Sequence, residues 1–239
     1  MARSKHRDGR RRSPVNVIRT IASTSAEAIR RVKTERRAYA AMPKPVPWDW
    51  AMPRLIPLLA GPYLDHPGES LVLAVLPPGV TVTFGIDLGR GVMPFVDTPV
   101  AERWECSPSQ ICSVAVDNLE RRAAQIETSA VRSGTLSGHI VGVLQRPAWV
   151  SSLLLTTPHL VRLFGAQDQI FVAAGHGTLI SLPIDAPSHV ASELVIEYEA
   201  KEWYPLMLDP FGLEGGVLHW GGAEEYEADD DDDDWVAVV

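Results

Sequence analysis

The sharpest chemical feature of this sequence is His176, set between Gly175 and Gly177 in the middle of two β-rich runs. An imidazole at an open hairpin tip can trade a proton near neutral pH, so it can serve as a general base or a metal ligand. An ordinary exposed turn residue would do neither. His139 and His219 stand in two other strand-like runs. Three such histidines make a metal site only where the fold converges them, and nothing in their spacing does so. No metal is therefore assigned. Ser181, Asp185 and His189 follow the Ser-Asp-His order of some hydrolases. Those enzymes hold the serine on a tight G-x-S-x-G elbow, whereas Ser181 lies inside the run Leu179-Ile180-Ser181-Leu182. Gly85, Gly89 and Gly91 precede another extended run, not the helix N-terminus that a phosphate cradle needs. Asn118 interrupts an apolar helical stripe, where a buried amide either floors a pocket or ties the helix to neighbouring backbone. His176 and Asn118 are the first residues to test for catalysis, and no cofactor motif accompanies them.

Cys106 and Cys112, the only cysteines, have neither zinc-ligand nor disulfide-framework spacing. Two reduced thiols fit a reducing cytoplasm. Charge is distributed unevenly. Residues 1–40 hold twelve Lys/Arg against Asp8, Glu27 and Glu35, while residues 223–239 hold Glu224, Glu225, Glu227 and the run Asp229 to Asp234 with no basic residue. Blocks of like charge cannot be buried together, so both ends read as solvated interaction tails. The aspartate run lacks the alternating ligands and the glycine of a calcium loop. Trp235-Val236-Ala237-Val238-Val239, which follows it, is β-prone and can add a strand to a sheet edge.

The basic arm offers two modes of contact. It can attach to nucleic acid or an anionic surface through Arg10, Arg11, Arg12, Arg30, Arg31, Lys33, Arg36 and Arg37, or it can pair with a protein partner's acidic groups or the chain's own. No aromatic residue precedes Tyr39, which weakens base stacking. The first 25 residues are Arg- and Ser-rich, a transit-peptide-like composition, but no apolar signal core follows them. The most apolar region, Leu71 to Leu88, contains Pro77, Pro78, Gly79 and Asp87, so no membrane span is expected.

These residues must be held by a framework that the pattern outlines. Ser13-Pro14 can start a short helix, with proline at its first position. Thr24-Ser25-Ala26-Glu27 reads as a capping box opening a basic helix from about Ser25 to Ala41, whose thin apolar stripe of Ile29, Val32 and Tyr39 suits a surface arm. Residues 42–47 form a Pro-rich linker. Residues 48–59, broken by Pro53 and Pro57, read as a covering loop or short helix. Glu69 to Leu76, Val80 to Leu88 and Val92 to Val96 read as an antiparallel meander. Ser107-Pro108-Ser109-Gln110 opens the clearest helix, running to about Ala124 with Ile111, Val114, Ala115, Asn118, Leu119 and Arg122 inward. Ile126 to Arg132 and Ser137 to Leu144 read as strands around Ser133-Gly134. Residues 147–164 hold helical pieces split at Thr156-Thr157-Pro158. Gln169 to Ala174 and Thr178 to Pro183 form the strongest hairpin signal. A helix follows over Ala186 to Trp203, and Leu213 to Trp220 reads as a last strand.

Phe95-Val96-Asp97, the helical stretch Ala115-Val116-Asp117-Asn118-Leu119, and the run from Gln169 through Gly175-His176-Gly177 to Ile180 together resemble the YtpQ-like family of uncharacterised bacterial proteins. The resemblance covers roughly residues 70–220. At the turn that family tends to carry a proline and an acidic residue, where this chain has Gly175-His176-Gly177-Thr178, so a role for the acidic group does not transfer. The resemblance implies an α+β cytoplasmic domain and lends no activity.

The expected fold is α+β, an antiparallel sheet with helices 108–124 and 187–203 packed on one face. The expected division is an arm and linker over 1–47, a domain over 48–222 and an acidic tail over 223–239. The expected function is a non-catalytic cytoplasmic binding or adaptor module. Two alternatives stand beside it: a hydrolase-like enzyme with an unrecognised site, and a nucleic-acid-associated protein using residues 1–40.

Overall fold

A computed structural model describes residues 14–61, 71–77, 79–200, 202 and 205–220, with side chains from residue 28 onward. Arg10, Arg11, Arg12, the acidic tail and the apolar C-terminus lie outside the described residues. The chain divides into two units, Met1–Pro45 and Val46–Val239.

In the first unit, α1 (Pro14–Ala41) is a single helix of 28 residues. The short helix expected from Pro14 and the basic helix expected from Ser25 are one continuous element, because the chain stays helical through Thr24. Between Pro14 and Pro43 there is no Gly or Pro to stop it. Extending a helix already nucleated at a proline, which suits a first turn, is easier than nucleating a second one at Thr24.

The second unit opens with α2 (Trp48–Ala51), a 3-10 turn (Met52–Arg54) and then β1 (Leu55–Leu59). That strand corrects the expectation of a covering loop, since all five of its residues are buried. It joins β2 (Leu73–Leu76) and β3 (Val80–Ile86) in an antiparallel sheet of order β1-β3-β2. Pro57 is tolerated because β1 is an edge strand, where a missing N–H need not break a ladder. The expected strand over 92–96 is absent. Its place is taken by one bridge, Gly85 to Phe95, with Ile86 N donating to Pro94 O at 2.9 Å and Val96 N to Phe84 O at 2.8 Å. Pro94 has no N–H to continue the pairing.

Asp97 caps α3 (Thr98–Arg103), its Oδ1 accepting from Val100 N at 2.8 Å. Ser107 and Gln110 form the expected capping box of α4 (Pro108–Ala123). This helix packs its Ile111, Ala115, Asn118 and Leu119 face on β1.

The remaining strands are β4 (Arg132–Leu136), β5 (His139–Gln145), β6 (Gln169–Gly175), β7 (Thr178–Pro183), β8 (Phe211–Glu214) and β9 (Val217–Trp220). They make a second antiparallel sheet of order β4-β5-β7-β6-β8-β9. The β4–β5 turn falls at Ser137-Gly138, not at Ser133-Gly134, and both turn residues have positive φ, 50° and 87°. That is the left-handed pair a two-residue hairpin requires. The single last strand expected over 213–220 is two strands folded at Gly215-Gly216, with φ of 57° and 82°.

Strand alternation gives this sheet two apolar faces. Phe171, Ala173 and Leu179 point to the larger core, shared with β1, α4 and a 3-10 segment, Val150–Leu155. Val172, Ala174, Ile180 and Leu182 point the other way, onto Val190, Ala191 and Leu194 of α6 (Ser188–Glu199). The larger core also takes Leu160 of α5 (Thr157–Phe164). The fold is therefore an α+β arrangement of helices and antiparallel sheets, with α4 on the first sheet and α6 on the second. Among the described residues, no helix is long and apolar enough to cross a membrane.

Candidate functional site

His176 is not an open tip. It keeps some exposed surface, but Nδ1 of its ring is buried and has no hydrogen-bond partner. The ring meets Phe95 edge-on, with centroids 6.3 Å apart. Burial lowers its pKa from 6.5 to about 4, because an apolar wall penalises the imidazolium. At neutral pH the ring is uncharged. Its main-chain oxygen accepts two hydrogen bonds from Ser151, from N at 3.1 Å and from Oγ at 3.2 Å. Ser151 thus lies beside the histidine yet spends its hydroxyl on the backbone, so a serine–histidine nucleophile pair is not formed.

The neighbouring residue works in the opposite direction. Ser152 is fully buried and donates from Oγ to Pro57 O of β1 at 2.6 Å. Consecutive serines therefore tie the β6–β7 hairpin of one sheet to the edge strand of the other. Beside the same tip, Glu202 Oε1 accepts from Thr178 Oγ1 at 2.8 Å. A Cβ on Gly175 would stand 2.6 Å from the Glu202 carboxyl carbon, so glycine is what admits that carboxylate.

Asn118 is 2% exposed and its amide is fully occupied. Nδ2 donates to Met52 O at 2.8 Å and to Leu55 O at 2.9 Å, and Oδ1 accepts from Arg121. It ties α4 to the approach of β1. Arg122, expected inward, reaches instead to Asp87 Oδ2 and to Pro53 O at 3.0 Å. Arg162 caps the far end of α4, donating to Ala123 O and Ile126 O at 2.8 Å each. His159 Nε2 lies 2.8 Å from Glu120 Oε2. The backbone tie expected of Asn118 is formed, while the partners of Arg122, Arg162 and His159 are ones that residue types alone did not announce.

The three histidines do not meet. His139 begins β5 and His219 lies in β9, four strand steps apart, about 19 Å at the usual spacing. His176 stands at the other end of the sheet, where Gln145 pairs with Thr178. Ser181 is buried against Gly142 and bonds neither Asp185 nor His189 among the described residues. No group of three or more His, Cys, Asp or Glu among the described residues is placed to hold a metal ion. A shallow groove of about 260 Å³ runs between Pro77, Leu154, Leu155 and the Gly216–Leu218 turn, and its lining carries no titratable side chain.

The basic residues are arranged differently. Arg30, Arg31, Lys33, Arg36 and Arg37 are all exposed on α1. Arg31 pairs with Glu35 at 3.0 Å. Lys33, Arg37 and Arg30 fall on one side of the helix, next to Ile29 and Val32, which are 56% and 39% exposed.

Comparison with protein-family models finds no match, and neither the curated proteins nor the solved structures supply one.

Proposed function

We propose that this chain is a non-catalytic binding or adaptor module of a bacterial cytoplasm, and that α1 is the surface it offers. One contrast carries the reading. Asn118, and Ser151 next to His176, spend polar atoms on internal backbone, whereas Arg30, Lys33, Arg36 and Arg37 are exposed along one helix. Exposed charge on a regular element keeps its hydration and steers an oppositely charged partner, which would also relieve the repulsion between Arg30, Lys33 and Arg37. The remainder of the chain, beyond residue 40, has ten basic against twenty-seven acidic residues, which disfavours broad contact with phosphates. A protein partner is therefore preferred to nucleic acid. Kinship with the YtpQ-like family belongs to the same proposal and rests on the Gln169–Ile180 run and the stretch around Asn118.

The test is retention of the full chain on immobilised polyglutamate and on double-stranded DNA, at about 50 mM salt, where surface charges are weakly screened. Wild type should bind polyglutamate, and a variant with Arg30, Lys33, Arg36 and Arg37 changed to Glu should not. Stronger retention on DNA would move the assignment to nucleic acid. A hydrolase screen that finds turnover abolished by His176→Ala would move it to an enzyme.

A further inference from the structure

We propose that α1 is one half of a coiled coil whose other half is an acidic helix on a different protein. This rests on the reading of α1 as the binding surface and adds the kind of partner that fits it. The continuity of α1 from Pro14 to Ala41 joins two stretches into one seam. Val15, Ile18, Ala22, Ile29, Val32 and Tyr39 recur in alternating steps of three and four, a heptad repeat, with Ser25 and Arg36 as its two polar positions. The repeat fills the 28 residues of the helix, about 42 Å at the usual rise per residue. Where side chains are described, the seam is exposed: Ile29 56%, Val32 39% and Tyr39 42%.

Charge decides the occupant. In a parallel pair of copies, Arg36 would face Arg36 at the seam. In an antiparallel pair the flanking positions would bring Arg19 of one copy towards Lys33 of the other. Both arrangements put like charges together in a partly desolvated contact, which disfavours self-pairing. Glu35, on the opposite flank, is already paired with Arg31. The complement is a helix with aliphatic seam residues, glutamates flanking the seam, and an acidic residue opposite Arg36.

The experiment titrates full-length chain with a synthetic four-heptad peptide carrying Leu and Ile at the seam and Glu at both flanks. The controls are the same composition scrambled out of heptad order, and the heptad peptide with Lys in place of Glu. Fluorescence anisotropy should show the first peptide binding at least about tenfold tighter than the scrambled one, with no binding of the Lys peptide, and both acidic peptides weakening as salt rises. Ile29→Asp with Val32→Asp should weaken it by about thirtyfold or more, as expected for losing central apolar anchors. Far-UV circular dichroism confirms that this variant keeps its helix, and Ile29→Ala with Val32→Ala provides a milder second variant that should lose at least about tenfold.

Equal binding of ordered and scrambled acidic peptides would overturn the helical partner while leaving the basic binding surface intact. Absence of binding to either peptide would remove both. A dimer of the chain alone, abolished by Ile29→Asp, would make a second copy the occupant. Retention on phosphatidylserine vesicles without peptide binding would make it a lipid surface.

Discussion

His176 gives the most exacting test of the described packing. Its pKa is 6.5 when unfolded and about 4 when folded. The unfolded chain therefore takes up the proton first as pH falls. This group costs no stability above about pH 6.5, the cost grows as pH drops towards 4, and it levels off below that. Between pH 7.5 and pH 5 the loss comes to about 2 kcal/mol, approaching roughly 3 kcal/mol at still lower pH. Replacing the residue by phenylalanine removes the titration, keeps an aromatic ring against Phe95 and leaves the main-chain oxygen for Ser151. Urea unfolding of both proteins at the two pH values, with linear extrapolation, isolates the effect, because carboxylates common to both largely cancel. Relative to the variant, wild type should lose about 2 kcal/mol on going to pH 5. A constant difference between the proteins at both pH values would refute the buried neutral ring.

Asn118→Ala leaves Met52 O and Leu55 O without their donor and should destabilise by about 2–4 kcal/mol, read as a lower thermal midpoint; an unchanged midpoint would mean those bonds are not formed. Ser152→Ala should cost about 1–3 kcal/mol, since Pro57 O is left buried, and Ser151→Ala clearly less, since its own N–H still reaches His176 O; equal costs in chemical unfolding would contradict the asymmetry. Gly142→Ala drives a Cβ to 2.5 Å from Ser181 Oγ and 3.2 Å from Phe164, and should cost about 1–3 kcal/mol, whereas Gly134→Ala meets open space and should stay within about 0.5 kcal/mol.

What the sequence announced was what depends on near neighbours. The capping box at Ser107 and Gln110 and the β6–β7 hairpin need only residues a few positions apart, and both stand as read. What it concealed depends on distant partners. Pro53 and Pro57 signal a break, and only the place of β1 at a sheet edge makes Pro57 acceptable in a strand. Ser-Gly occurs at 133–134 and again at 137–138, and the observed β4–β5 turn uses the second. His176 looks exposed because its walls, Phe95 and Ser151, come from segments 81 and 25 positions away. The serine pair did leave a trace, two hydroxyls between Val150 and Leu153, which is a costly place for polar atoms unless each has a partner. The long seam of α1 was masked by a local cap pattern that the helix passes over.

Because Ser151 and Ser152 are adjacent in the chain, the tip of one hairpin and the rim of the first sheet are joined by a single peptide link. Lifting that tip would drag Pro57 with it and expose Leu55 through Leu59. Amide exchange at Ser151 and across the first sheet should accordingly proceed through one shared opening, leaving the hairpin unable to swing as an independent flap.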